Sequence, residues 1–309
     1  MPDIYDVAII GSGPTGMTSA IYTGRARLKT VLIERLLPGG QIATTSTVEN
    51  YPGFPQGVEG PDLSERLMAQ AKMYGVEHEM AQVEGLRLEG DMRVIATDDG
   101  DIVARSVIIT SGADHNRLGI PGETEYMGKG VSNCAVCDGA FFVDQPVAVV
   151  GGGDAALDEG LFLTRYASKV IVVHRRDQLR ASRILQERAL NHPKMEFVWD
   201  TVVDSITGNN TVDSVAVRNL KDGTTGALPV EGVFIYIGLS PNTDFLHGLV
   251  PVDGGGHIIV NSMMETAVPG VFAAGDVRQK AARQVVSAAG DGATAAISVR
   301  RYLENLVRA

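Results

Sequence analysis

At 309 residues the chain is longer than one hydrophobic core usually sustains, so two domains are expected. It is 44% hydrophobic and 21% charged with a formal net charge of −10, which disfavours nucleic-acid and anionic-membrane partners and leaves any phosphate to local backbone amides and a few placed arginines. No apolar run approaches the length of a membrane span, and Met1-Pro2-Asp3-Ile4-Tyr5-Asp6 lacks the basic start and apolar stretch of a secretory signal.

In chain order, residues 4–10 read as a buried strand, and Gly11-Ser12-Gly13-Pro14-Thr15-Gly16 follows at once. Met17 to Arg27 has helical character, and Thr30-Val31-Leu32-Ile33 reads as the next strand, ending in Glu34. Strand, tight turn, helix, strand and acid are the setting in which a G-x-G-x-x-G binds a dinucleotide. Gly11 permits the turn, Gly13 admits the pyrophosphate to the backbone, and Gly16 lets helix and strand pack closely. The helix start offers unpaired N–H groups and a positive dipole end, while Glu34 can accept hydrogen bonds from ribose hydroxyls.

The only two cysteines come next, as Cys134-Ala135-Val136-Cys137-Asp138. Zinc takes four ligands, typically as two close pairs, and no second cysteine pair exists. His78, His115, His174, His192, His247 and His257 are scattered without metal-ligand spacing, so no metal is expected. An inert bridge would close too short a loop to remove much entropy from the unfolded chain. A redox-active dithiol is the favoured reading: one thiolate attacks a partner disulfide and the other resolves the mixed disulfide. Two cysteines in this spacing suit a reducing compartment, and the cytoplasm is the expected location.

The first pattern then recurs. Pro146-Val147-Ala148-Val149-Val150 leads into Gly151-Gly152-Gly153-Asp154-Ala155-Ala156, a helical stretch, and Lys169-Val170-Ile171-Val172-Val173. Gly11 to Glu34 and Gly151 to His174 both span 23 positions, so the second unit repeats the first in register. At the ribose position the acid is replaced by His174-Arg175-Arg176, with Arg180 one helical turn on. An acid there binds a free 2′-hydroxyl and repels a 2′-phosphate, whereas arginines bind that phosphate in bidentate fashion. The first site therefore suits FAD or NAD and the second NADPH, the alternative being that the three arginines form an ordinary solvated face. Late in the chain, Val271-Phe272-Ala273-Ala274-Gly275-Asp276 reads as a strand closed by a turn, and Ala281 to Leu306 has helical composition. Asp276 there can take a ribityl hydroxyl, although Gly-Asp after a strand is also an everyday turn signal.

Taken together, Gly11–Gly16, Gly39-Gly40-Gln41, Val48-Glu49-Asn50, Cys134-Ala135-Val136-Cys137-Asp138-Gly139, His174-Arg175-Arg176 and Gly275-Asp276-Val277 resemble the low-molecular-weight thioredoxin reductases, from about residue 4 to about residue 305. The resemblance implies an α/β fold of two Rossmann-like dinucleotide-binding domains, with the NADPH domain inserted into a discontinuous FAD domain. The FAD domain then comprises 1–113 and 243–309, and the NADPH and dithiol domain 117–240. The crossings are Gly112-Ala113-Asp114-His115-Asn116 and Leu239-Ser240-Pro241-Asn242, both rich in turn formers. At the flavin it implies Gly11, Gly13, Pro14, Gly16, Glu34, Gly40, Gln41, Asn50 and Val83. To these it adds Gly112, Ala113, Gly275, Asp276, Arg283, Gln284 and Val285. At NADPH it implies Gly153, Asp154, Ala155, His174, Arg175, Arg176, Arg180, Ile237 and Gly238. Three positions depart from the family pattern: Ser111 within Thr110-Ser111-Gly112-Ala113, Ala282 where a tyrosine usually precedes Arg283-Gln284, and Asp154-Ala155 in the second fingerprint.

The resemblance further implies a homodimer in which electrons pass from NADPH through FAD and the Cys134–Cys137 dithiol to oxidised thioredoxin. Cys137 is then the flavin-proximal sulfur and Cys134 the interchange thiol. Asp138 is the natural acid to protonate a leaving thiolate, and it can equally serve as a helix N-cap or turn residue. One dithiol serving both flavin and partner implies a hinge at the two crossings. The competing expectations are a small-molecule dithiol oxidase, a ferredoxin-dependent relative, a flavoprotein of peroxiredoxin reduction (which needs a further N-terminal dithiol domain), and a non-turnover redox sensor.

Overall fold

The computed structural model describes residues 4–45 and 47–308; Met1-Pro2-Asp3, where the start of the chain was read for a signal, lie outside the described residues. Because Val7-Ala8-Ile9 is apolar without alternation, both faces of β1 (Ile4–Ile10) are buried, and it takes the middle of a largely parallel sheet. The chain continues through α1 (Pro14–Arg25), β2 (Thr30–Glu34), the short β3 (Thr47–Val48) and β4 (Val58–Glu59), and α2 (Gly60–Lys72). Next come β5 (Glu77–Met80), β6 (Val83–Glu89), β7 (Met92–Thr97), β8 (Gly100–Ile109) and β9 (Ala113–His115). The sheet order is β5-β2-β1-β8-β7-β6.

A second set of elements follows. It runs β10 (Val131–Ser132), α3 (Ala135–Asp138), β11 (Pro146–Gly151), α4 (Asp154–Leu163), β12 (Lys169–Val173), α5 (Arg183–Leu190) and β13 (Met195–Val198). An antiparallel meander of β14 (Thr201–Gly208), β15 (Val212–Asn219) and β16 (Thr225–Pro229) precedes β17 (Gly232–Tyr236) and β18 (Leu239–Pro241). The parallel sheet here is β10-β17-β11-β12-β13. The chain then returns to the first sheet, where β19 (Val271–Ala273) pairs with the end of β8, and closes with α6 (Val285–Arg308).

Two compact units result: Met1–Asp114 with Ser240–Ala309, and His115–Leu239. In the first, Met17, Leu67, Ala295 and Val299 from α1, α2 and α6 cover one sheet face, and Leu246, Val250 and Ile258 cover the other. In the second, Leu157 and Leu163 of α4 with Ala189 of α5 cover one face, and Val203, Ile206, Val215 and Val217 of the meander the other. Each unit has layers on both faces of a parallel sheet, with its central strand flanked by strands that leave in opposite directions. That switch point puts a crevice at the carboxyl ends of β1 and β11.

Two helix boundaries differ from the sequence expectation. The first helix ends at Arg25 because Arg27 is left-handed (φ 61°), a conformation that cannot continue the helix. The last helix begins at Val285 rather than Ala281, since Lys280 and Arg283 both have φ 56°.

Leu157 is fully buried (0% exposed) between α4 and its sheet. Leu157→Ala should destabilise the inserted unit by about 3 kcal/mol, read as a lowered midpoint in denaturant unfolding.

Candidate active site

The turn after β1 holds three glycines for two different reasons. A Cβ on Gly11 (φ 101°) would press on the Thr110 backbone, and one on Gly16 would overlap the Gly11 carbonyl oxygen. Gly13 is different: its backbone is extended (φ −67°, ψ −178°) and a Cβ there meets nothing within 4 Å. The protein itself does not require glycine at that point, so the open space suits a ligand approaching the backbone. Pro14 opens α1, and Gly13 supplies no capping side chain, which leaves first-turn N–H groups for an anion. Glu34 braces the turn, its Oε2 accepting from Ser12 N (2.9 Å) and Ser12 Oγ (2.8 Å) and its Oε1 from Leu36 N (3.1 Å). A carboxylate has further lone pairs for ribose hydroxyls.

Other expected residues gather round this turn. Gly40 (φ 55°) backs onto Gly13, where a Cβ would lie 3.3 Å from the Gly13 Cα, and Gln41 Nε2 donates to the Ala113 carbonyl at 2.7 Å beside Gly112 (φ 65°). Ala81 N donates to the Glu34 carbonyl at 2.9 Å, bringing the start of β6 and the buried Val83 beside the end of β2. Gly275 (φ 76°) lies against Thr15, where any side chain would strike its hydroxyl. Asn50 Nδ2 donates to Gln284 Oε1 at 2.9 Å, just before Val285 opens α6. Asp276 is half-buried, and burial raises its carboxyl above the usual range, with Arg283 opposing the shift and Asp291 adding to it.

The second turn repeats the logic. A Cβ on Gly151 would overlap the Tyr236 carbonyl, whereas Gly153 (φ −99°, ψ −176°) again has nothing within 4 Å. At the third position Ala156 is buried and packs where the first turn has Gly16. His174, 5% exposed, lies with its ring where a side chain on Gly152 would be, and its Nε2 bonds the Gln178 carbonyl at 3.0 Å. Burial lowers its pKa first, and the three arginines add to the shift, so the ring is a neutral wedge beneath the turn. Arg180 N donates to Gly152 O (2.7 Å) and Ser182 N to Asp154 Oδ1 (2.5 Å), folding the 174–182 segment onto the glycine turn. Arg175, Arg176 and Arg180 are exposed, and none has a carboxylate partner among the described residues. Ala155 is exposed at the start of α4, and Ile237 and Gly238 (φ 122°) follow β17, where Asn116 N donates to Gly238 O at 2.9 Å.

In the same unit Cys134 and Cys137 form a disulfide with Cα atoms 5.4 Å apart. Cys134 is the N-cap of α3, and its Sγ accepts from the Cys137 N–H at 3.2 Å; a hydrogen bond to sulfur there favours the thiolate. Cys134 N donates to Ser132 Oγ (2.9 Å) and Ala135 N to Tyr236 Oη (3.1 Å), which fixes the turn on the buried sheet. Asp138 occupies the N-cap position of the 3-10 turn Gly139–Phe142 but makes no side-chain cap bond, so its carboxylate is not committed to the backbone. Among the described residues no group of three or more His, Cys, Asp or Glu could hold a metal, and no helix is long and apolar enough to cross a membrane.

Several positioning residues escape sequence reasoning. Asp291 grips Arg278 through two bonds (2.6 and 2.9 Å) and receives the Gly275 N–H at 3.2 Å, so it holds the Gly-Asp turn. Its signal was a lone acid in a run of alanines, glycines and serines. His257 Nε2 accepts from Arg283 Nη2 at 3.2 Å while its Nδ1 faces Asp253 at 3.5 Å. Glu159 and Tyr236, beneath the disulfide turn, had no signal at all.

Comparison with known proteins agrees with this geometry. The chain matches the family described as pyridine nucleotide-disulphide oxidoreductase over residues 5–292. It is 48% identical to a thioredoxin reductase of Listeria innocua, over 99% of this chain and 96% of that one. It is also 48% identical to a thioredoxin reductase of Bacillus subtilis, over 98% and 96% of the two chains. The crystal structure of Lactococcus lactis thioredoxin reductase in its FR conformation superposes with a TM-score of 0.96 at 46% identity, covering 97% of this chain and 99% of that one. The chain belongs to the pyridine nucleotide-disulphide oxidoreductases, in their thioredoxin reductase family, and is a flavoprotein disulfide reductase using flavin and pyridine nucleotide.

Proposed function

We propose that this chain draws electrons from NADPH through FAD in the unit carrying β1, and delivers them by Cys134 and Cys137 to oxidised thioredoxin. The observation that carries the donor choice is the set of arginines without a carboxylate partner among the described residues, Arg175, Arg176 and Arg180, just after His174, which stands at the register position of Glu34. Three free guanidinium groups beside an open glycine suit a 2′-phosphate, and Glu34 suits a free ribose. Gly13 and Gly153, both facing open space, support a pyrophosphate at each turn. A bound flavin supplies two-electron relay between a nicotinamide donor and a disulfide.

The rest is done by the chain. Glu34 and Asp276 accept hydroxyl groups of the flavin nucleotide, while Gln41, Asn50, Arg283 and Gln284 line its site. Once reduced, Cys134 Sγ attacks the thioredoxin disulfide, forming a mixed disulfide and releasing one partner thiolate, which Asp138 protonates. Cys137 Sγ then attacks Cys134 Sγ, closing the internal bond and releasing reduced thioredoxin. The Cys137 N–H, already directed at Cys134 Sγ, favours the attacking thiolate. Free arginines argue against a ferredoxin-fed relative or an oxygen-dependent dithiol oxidase, neither of which needs a 2′-phosphate site. A homodimer built on the FAD unit, working in the reducing cytoplasm, follows from the family and the cysteine usage.

Adding NADPH without oxygen should bleach the yellow protein, and oxidised thioredoxin should restore the colour. Cys134→Ser should bleach as before and fail to recover; recovery would overturn the assigned role of Cys134. Donor choice has its own readout in Trp199, the sole tryptophan, whose ring centroid is 6.3 Å from that of His174. Its emission should titrate with NADPH far below the NADH concentration needed, and Arg175→Ala or Arg176→Ala should each weaken NADPH roughly ten- to a hundredfold, the loss of one charge-assisted contact. Equal response to both nucleotides would sink the arginine assignment. For the flavin site, Gly13→Ala should change flavin-free stability by no more than about 1 kcal/mol yet cost flavin retention. Gly16→Ala, which forces the backbone apart, should lower stability itself by about 1–3 kcal/mol.

A further inference from the structure

Beneath the disulfide turn lies a titratable pair that the reaction above does not use. Glu159 sits on α4, which packs against α3, and its Oε2 is buried with no hydrogen-bond partner among the described residues. The Ala135 N–H, inside the C-x-x-C turn, donates to Tyr236 Oη at 3.1 Å and also bears on the Glu159 carboxylate. Burial, joined by the charge of Asp158, pushes the Glu159 carboxyl up to about 7, with the Ala135 N–H opposing. The Tyr236 phenol is raised as well, first by burial and then by the charge of Glu159, with a smaller contribution from Asp138.

The charge that acts directly on Glu159 is that of Asp158. β17 brings Tyr236 and α3 brings Asp138, which acts on that same phenol. β11 and β12 turn Val149 and Val170 toward the neighbouring Gly160. From α5 the buried contact is Ala189, while Arg183, Glu187 and Arg188 are exposed.

We propose that Glu159, acting through the Ala135 amide and Tyr236, is the proton-holding positioning residue of the redox turn: it gains a proton when the Cys134–Cys137 bond is reduced and loses it when the bond re-forms. This rests on the dithiol function proposed above. Reduction breaks the Sγ–Sγ bond and adds two electrons, which the reductase activity supplies. Where one sulfur remains a thiolate, one proton goes to the other sulfur and one to Glu159. The carboxylate present before reduction is thereby exchanged for a thiolate, and the site never carries two negative charges in low dielectric. Asp138, at the far end of the turn and without a side-chain cap bond, remains free to serve the partner's thiolate.

The test is the pH dependence of the disulfide's own equilibrium, without turnover. Flavin-loaded full-length protein and its Glu159→Gln variant are equilibrated with dithiothreitol redox buffers from about pH 6 to about pH 8.5, a range bracketing the carboxyl and the thiols. Free thiols are then trapped by alkylation and counted by mass. A group whose pKa is higher in the reduced state opposes reduction as pH rises. Relative to the variant, the reduced fraction of the wild-type turn should therefore fall by up to tenfold per pH unit above about 7, and level off below, where the acid is protonated in both states. Tyr236→Phe, which keeps the acid and removes its hydroxyl neighbour, should shift where that fall begins. A constant ratio between wild type and Glu159→Gln at every pH would mean a merely structural role and overturn the proposal. Should the variant not fold, infrared difference spectra of the wild type decide: a protonated-carboxyl band growing on reduction supports it, and no such band overturns it. A disulfide that never exchanges with dithiothreitol would instead remove the dithiol function itself.

Discussion

The contact between the Gly11 carbonyl and the bare Cα of Gly16 governs this chain's chemistry. It draws α1 against the end of β1 so closely that no side chain fits between them. The first-turn amides are thereby aimed into the crevice at the switch point of the sheet. Thr110 closes the same corner from β8, its Oγ1 donating to the carbonyls of Ile10 (2.9 Å) and Gly11 (2.8 Å). The inserted unit reaches the same geometry by another route, with Ala156 in the place of Gly16 and the Tyr236 carbonyl where Thr110 stands. One residue, Tyr236, thus closes the nucleotide turn with its carbonyl and anchors the disulfide turn with its hydroxyl. Nucleotide turn and sulfur turn are built on a single strand end.

Much of this was legible because local chemistry and global fold agree. Uninterrupted apolar runs announced both central strands, and the equal spacing from glycine turn to ribose position made Arg175 and Arg176 readable against Glu34. What the sequence hid were consequences of tertiary contact. Arg283 lies in a stretch of helical composition, yet its left-handed backbone turns its guanidinium to His257 and delays the helix to Val285. His174 reads as one of a basic trio and is instead a buried neutral wedge, because its strand end curls under Gly152. Glu159 was invisible for the opposite reason. An acid beside Asp158 on an amphipathic helix reads as solvated, and only the seating of α3 on α4 takes it out of water.

Glu159 contrasts with Glu34, an acid whose place the sequence did reveal. Glu34 accepts from two N–H groups and one hydroxyl, which brace its carboxylate against the first turn. Glu159 has the contrary surroundings: one amide shared with a phenol, an orphaned oxygen, and a like charge next in sequence. The two acids show how environment rather than residue type assigns a task.

The overall charge makes a related demand. A chain of net charge −10 that uses flavin and pyridine nucleotide must admit their phosphates against its own mean field. At about 8–10 Å the screening length in physiological salt is comparable to the size of one binding turn, so local charges outweigh distant ones. At the first turn, α1 begins without a side-chain cap, so its first-turn amides are available to an anion. The second places three guanidinium groups, without a carboxylate partner among the described residues, within six positions of one another, held to the glycine turn by Arg180 N and Ser182 N. Asp154 then has a use that its charge alone would not suggest: by accepting the Ser182 amide it folds the arginine segment inward. An acid at the mouth of an anion site is tolerable when its oxygen is already engaged in shaping that site.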